Sequence, residues 1–159
     1  YGTANPTLTV TYTGFVNGDT NASLTTQPSI STTAVTGSGA GTYPITASGA
    51  VSSNYSISYT AGTLTVTKAA LTIAADNQSK VYGTANPTLT VTYTGFVNGD
   101  TNTSLTTQPS ISTTAVTGSG AGTYPITASG AVSSNYSISY TAGTLTVTKA
   151  ALTIAADNQ

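Results

Sequence analysis

The chain has 159 residues, and only seven carry a charge: Asp19, Lys68, Asp76, Lys80, Asp100, Lys149 and Asp157. With no His, Cys, Met, Trp, Arg or Glu, it lacks the usual ligands of zinc, haem and iron–sulfur groups and the side chains of thiol or imidazole catalysis. A net charge of −1 with three lysines leaves no basic surface for nucleic-acid phosphates, and no apolar run approaches the roughly 20 residues of a membrane helix.

Hydroxyl groups supply the polarity instead, with 37 Thr and 19 Ser. Low charge and small polar residues can mark disorder. Here the 38% of hydrophobic residues fall in a regular pattern, which argues for a folded chain. Absence of Cys permits any compartment, and an acidic, thiol-free, hydroxyl-coated β protein suits a bacterial exterior. The chain starts at Tyr1 rather than Met, so a piece of something longer is expected.

Self-similarity dominates the sequence. Tyr1-Gly-Thr-Ala-Asn-Pro6 returns as Tyr82-Gly-Thr-Ala-Asn-Pro87, a period of 81 residues. Residues 1–78 align with 82–159 without a gap and differ once, where Ala22 becomes Thr103. Ser79-Lys80-Val81 has no second copy. A period of 81 is too long for one coil of a solenoid and suits one small domain. Near-identical copies multiply length or valency and make poor hosts for a unique active site.

Within one period, apolar residues alternate with Thr or Ser, the period-two mark of half-buried strands. Leu71 and Ile73 open the series. Thr88–Tyr93 follows, with Leu89, Val91 and Tyr93 on one face, and Asn98-Gly99 then offers the dipeptide of a tight turn. Ser110-Ile-Ser is a short strand, and Gly118–Gly122 is a break. Thr123–Thr127 is the next strand, and Tyr136–Tyr140 the next, with Tyr136, Ile138 and Tyr140 inward. Ala142-Gly143 precedes Thr144–Thr148, where Leu145 and Val147 point inward. Leu152 and Ile154 repeat Leu71 and Ile73. Pro87, Pro109 and Pro125 belong at strand starts or edges. The outward threonines are β-branched and favour strands themselves. The expected buried set is Tyr93, Tyr124, Tyr136, Ile138, Leu145 and Val147, with their counterparts 81 residues earlier. The expected fold is all-β: small antiparallel Ig-like β-sandwich domains in tandem, arranged end to end.

The runs Leu71-Thr-Ile-Ala-Ala-Asp, Tyr82-Gly-Thr-Ala-Asn-Pro, Gly95-Phe-Val-Asn-Gly-Asp100, Gly122-Thr-Tyr-Pro-Ile-Thr127, Asn135-Tyr and Gly143-Thr-Leu-Thr-Val-Thr-Lys149 together resemble the MBG repeat, "mostly β, glycine-rich". The resemblance covers the whole chain. It implies a stalk or fibre module of large secreted or surface-attached bacterial adhesins, with no catalytic residues to carry over. In that frame residues 71–148 form one complete unit, residues 1–68 a unit lacking its first strand, and residues 152–159 the first strand of a following unit.

Each candidate site has a plainer reading. Asp19 and Asp100 lie in Asn-Gly-Asp-Thr-Asn loops, but calcium takes six to eight oxygen ligands and usually several carboxylates. Turn chemistry is expected there and at Asp76-Asn-Gln. Lys68 and Lys149, beside Ala-Ala at the joint, could form isopeptide bonds only next to a buried acid, so solvated linker lysines are expected. The Thr7–Thr13 run resembles an ice-binding array, yet a period of 81 does not stack its rungs about 4.8 Å apart. Tyr1 and Tyr82 lie outside the alternating runs and are the tyrosines to consider for stacking on sugars. The Asn-x-Ser triplets at 21, 54, 102 and 135 match a glycosylation signal that carries little weight in a bacterial chain. Paired carboxylates for hydrolysis are absent, since the two Asp of a period stand far apart.

The expected function is therefore a non-enzymatic structural repeat, extracellular at the bacterial surface, without cofactor, metal, nucleic acid or membrane insertion. The alternative is a multivalent glycan-binding module. The ends suggest the partner: neighbouring repeats, or copies of the same chain head to tail. Leu152, Thr153, Ile154, Ala155 and Ala156 form a strand without a sheet, and residues 1–68 are a sheet without that strand. Strand addition between copies would satisfy both.

Overall fold

The computed structural model describes residues 1–159. The chain divides into two compact units, Tyr1–Lys68 and Ala69–Gln159. Apart from two single 3-10 turns, Asn21–Ser23 and Asn102–Ser104, all regular structure is β.

Unit 1 holds three strands, β1 (Ser29–Thr32), β2 (Gly41–Ser48) and β3 (Gly62–Val66), in one antiparallel sheet of order β1-β2-β3. Unit 2 holds seven: β4 (Ala69–Ala75), β5 (Gln78–Val81), β6 (Val91–Thr94), β7 (Ser110–Thr113), β8 (Gly122–Ser129), β9 (Tyr136–Thr141) and β10 (Gly143–Thr148). One sheet has the order β5-β10-β8-β7 and the other β6-β4-β9. The counterparts of β7, β8 and β10 are β1, β2 and β3. The segments equivalent to β6 and β9, residues 10–13 and 55–60, form no ladder in unit 1.

The sheets are mixed, which corrects the expectation of purely antiparallel pairing. β4 runs parallel to β9 and β5 parallel to β10, while the other pairs are antiparallel. Local hairpins impose antiparallel neighbours, whereas β4 and β5 meet partners a whole unit later in sequence, and so long a connection permits parallel pairing. The strand β4 also begins two residues earlier than the alternation suggested. Ala69 and Ala70, read as part of a joint, belong to the strand and pair with Tyr136 and Ser137.

The core of unit 2 draws on both of its sheets. Ala75 of β4 clusters with Ile126 of β8, Leu145 of β10 and Ala115, and Leu89, Val91, Ile111 and Tyr124 pack around them. Leu71, Ile73, Tyr136 and Val147 are also buried. Alternation produces this division of faces, and the threonines between the core residues of β8 and β10 stay largely outside.

Part of the expected buried set is only half-buried. Tyr136, Leu145 and Val147 are buried, but Tyr93, Tyr124 and Ile138 are partly exposed, and Tyr140 is exposed. The reason is position. β9 is an edge strand, so Ile138 and Tyr140 are covered on one side only. Tyr124 extends its hydroxyl to the Gly120 carbonyl at 3.0 Å, and Tyr93 lies against Phe96 with centroids 5.5 Å apart. In unit 1 the counterparts Tyr12, Tyr43, Tyr55, Ile57, Leu64 and Val66 are all half-buried, and Ala34 is the one buried hydrophobic residue there.

Candidate strand-addition interface

The seat of β4 in unit 2 shows what a first strand requires. β4 lies between β6 and β9, pairing Ile73 with Tyr93 on one side and with Tyr140 on the other. Leu71 and Ile73 are 0% exposed, so β4 delivers two of the largest side chains in the core. Burying each contributes roughly 1.5–3 kcal/mol. Side chains fasten the far end. Asp76 accepts from the Thr90 and Thr92 hydroxyls at 2.6 and 2.7 Å. The Asn77 side-chain oxygen accepts from the Thr144 N–H at 2.8 Å. At the near end the Ala69 N–H donates to the Asn135 carbonyl at 2.9 Å.

Two glycines let the backbone of β4 come this close. A Cβ on Gly143 would lie 2.9 Å from both the Ala75 carbonyl carbon and the Asp76 carbonyl oxygen, nearer than Cβ atoms come to such neighbours. A Cβ on Gly95 would collide with the Ala70 carbonyl oxygen. Glycine is thus demanded by an approaching strand at both places.

Unit 1 carries the same residues around this position without that strand. A groove of about 650 Å³ is lined by residues 9–15 and 55–62, with Leu24, Ile30, Ile45 and Ala47 on its floor. Gly62, the counterpart of Gly143, meets only Ile45, at 3.6 Å, and Gly14, the counterpart of Gly95, meets nothing within 4 Å. Ile126 is fully buried in unit 2, whereas its counterpart Ile45 is partly exposed in unit 1.

Leu152, Thr153, Ile154, Ala155 and Ala156 lie outside every strand and sheet. Leu152 and Ile154 are 85% and 87% exposed. Residues 150–159 repeat residues 69–78, the stretch that runs from the start of β4 into β5.

The other candidates resolve as local structure. Asn98 and Gly99 both have positive φ, 57° and 75°, and the Asp100 N–H closes the turn on the Val97 carbonyl at 3.0 Å. This is the backbone that Asn-Gly favours. The Tyr136 hydroxyl latches it, donating to Asp100 at 2.8 Å and accepting from the Val97 N–H at 3.0 Å. Tyr55 does the same in unit 1, donating to Asp19 at 2.6 Å. That bond, then one from Ser23, holds the Asp19 carboxyl below its ordinary range and pushes the Tyr55 hydroxyl up. The Thr90 and then the Thr92 hydroxyl likewise lower Asp76. No group of three or more carboxylates comes together as a metal cage. Lys68 and Lys149 are exposed, the opposite of the setting an isopeptide bond needs. Tyr82 is 50% exposed, and Tyr1 is half-buried.

Two features escape a reading of the sequence. Lys80, flanked by Ser and Val, looks solvated but is 7% exposed, with its ammonium donating to the Val116 and Thr84 carbonyls at 2.7 and 3.1 Å. Its stem covers apolar surface while its head finds backbone oxygens. The Thr90 and Thr92 hydroxyls, read as an outward face, are ligands of Asp76. The signal available was their spacing of two, which sets them side by side on one face.

Two copies of one β unit, one containing its first strand and one lacking it, define a tandem β-repeat protein. The chain belongs to the MBG domain (YGX type) family, whose profile matches residues 1–65 and 71–146. Comparisons with curated proteins and with solved structures give no match.

Proposed function

We propose that the chain is a non-enzymatic structural repeat of an extended stalk or fibre in a bacterial surface adhesin, each unit being a small β-sandwich set end to end with the next. The observation that carries this reading is the junction. The last strand of unit 1, β3, ends at Val66, and the first strand of unit 2, β4, starts at Ala69. Two intervening residues span only about 7–10 Å and leave little freedom between units. Near-identical units joined so tightly add length in equal steps. Membership of the MBG family supports the same reading. Small-angle scattering from the dilute 159-residue chain is the test. An elongated particle is expected, and a compact pair of units would overturn the stalk. A glycan array probed with the same chain is expected to stay blank; a reproducible sugar hit would favour the glycan-binding alternative.

A further inference from the structure

We propose that Asn98-Gly99 and its counterpart Asn17-Gly18 are self-modification sites, where the asparagine converts to aspartate and isoaspartate, and that the tyrosine latched onto each turn sets the rate. Each site lies within a single unit and is independent of the stalk reading.

The residue pair supplies both reactants. Gly99 has no Cβ, so its backbone nitrogen can approach the side-chain amide of Asn98 without obstruction. That nitrogen gives its proton to solvent hydroxide and bonds to the Asn98 Cγ. The Cγ–Nδ2 bond breaks, and ammonia leaves with a proton from water. The product is a five-membered succinimide. Water then adds across one of its two C–N bonds. Opening at Cγ gives aspartate, and opening at the main-chain carbonyl carbon gives isoaspartate, whose chain runs through the former side chain. Either product carries a new carboxylate two residues before Asp100.

The folded turn withholds this chemistry. Ring closure needs the Gly99 nitrogen and the Asn98 Cβ on the same side of the bond between Cα and the carbonyl carbon. Asn98 has a φ of 57° and Asn17 one of 55°. In that left-handed well ψ is positive and below about 60°, which turns the following nitrogen away from Cβ. Attack therefore waits until the turn opens. Opening breaks the closure of the Asp100 N–H on the Val97 carbonyl, and with it the bonds of the Tyr136 hydroxyl to Asp100 and to the Val97 N–H. Tyr136 is 3% exposed on β9 and stands edge-on to Phe96, with centroids 5.4 Å apart, so the latch is anchored in the core. Asn98 and Gly99 themselves face water. Unit 1 repeats the arrangement, with Tyr55 donating to Asp19 at 2.6 Å and accepting from the Val16 N–H at 3.2 Å. Isoaspartate lengthens the main chain of the turn by one atom. The Asp100 N–H then no longer meets the Val97 carbonyl in register, and the latch does not re-form.

The test follows conversion in the full chain held in mildly alkaline buffer. Trypsin cuts after Lys68, Lys80 and Lys149 and so places Asn17 and Asn98 on separate peptides, 1–68 and 81–149, for mass spectrometry. Enzymatic methylation of isoaspartate counts that product. Asn98 is expected to convert at least about tenfold more slowly in the folded chain than in a synthetic peptide of residues 93–103. Tyr136→Phe removes the hydroxyl and keeps the ring. It should speed Asn98 about tenfold, the rise in open turn that follows loss of a charge-assisted hydrogen bond, and leave Asn17 unchanged. Tyr55→Phe should do the reverse. Amide exchange in β8 and β10 reports whether unit 2 stays folded. Where Tyr136→Phe loosens those strands, Asp100→Ala decides, since it breaks the same latch and leaves the Tyr136 ring seated. Equal rates in chain and peptide overturn the inference, as does an Asn98 rate that neither variant raises.

Discussion

Ile45 and Ile126 are the same residue in the same strand position, and they differ in what covers them. Ile126 is 0% exposed beneath β4, and Ile45 faces the groove. Ile126→Ala should therefore cost about 2–5 kcal/mol, mostly through the cavity it leaves, and Ile45→Ala distinctly less. Urea melts of the two variants check this. The carboxylates predict a pH response. Asp19 and Asp76 have folded values below the ordinary 3.8, so their contribution is present above that value and is lost as pH falls through the lower folded values. Stability followed by thermal melts should be level from neutral pH to about 4 and drop below it. Asp76→Asn should shrink the drop. The single difference between the repeats, Ala22 against Thr103, lies on an exposed 3-10 turn, where the Thr103 hydroxyl bonds that of Thr101 at 2.8 Å.

At the scale of elements, β4 organises everything around it. With β4 between them, residues 91–94 and 136–141 are strands, and without it residues 10–13 and 55–60 are not. Their sequences are identical, so the difference is tertiary. Amide exchange should accordingly be faster at Val10–Thr13 and Tyr55–Thr60 than at Val91–Thr94 and Tyr136–Thr141, measured by mass spectrometry on the dilute chain. Equal protection would mean that the segments pair without a first strand. The sequence was legible where local rules decide. Alternation marked the β character and the inward Leu145 and Val147, and Asn98-Gly99 marked its turn. The period of 81 marked residues 150–159 as a copy of residues 69–78. What stayed hidden depends on partners distant in sequence. Parallel pairing of β4 with β9 has no local signature, and neither has the edge position that leaves Tyr140 exposed. Burial of Lys80 has no local signature either, because it depends on carbonyls four and 36 residues away.

At the scale of the whole molecule, the parallel ladders have a mechanical consequence. A pull along the polypeptide enters unit 2 at Ala69, the start of β4, and leaves at Thr148, the end of β10. Strand β5 follows β4 after two residues and lies parallel to β10, from Leu145 opposite Gln78 to Thr148 opposite Val81. Tension drags β5 backwards from its start and β10 forwards from its end. The two slide along each other, and their hydrogen bonds bear the load together. An antiparallel pair pulled from one end, such as β7 and β8 at Ser110 and Ser129, opens one bond at a time. Force spectroscopy with cysteine handles at residues 69 and 148 should therefore give a higher rupture force than handles at residues 110 and 129. A unit so threaded resists hardest along the line that joins its first strand to its last.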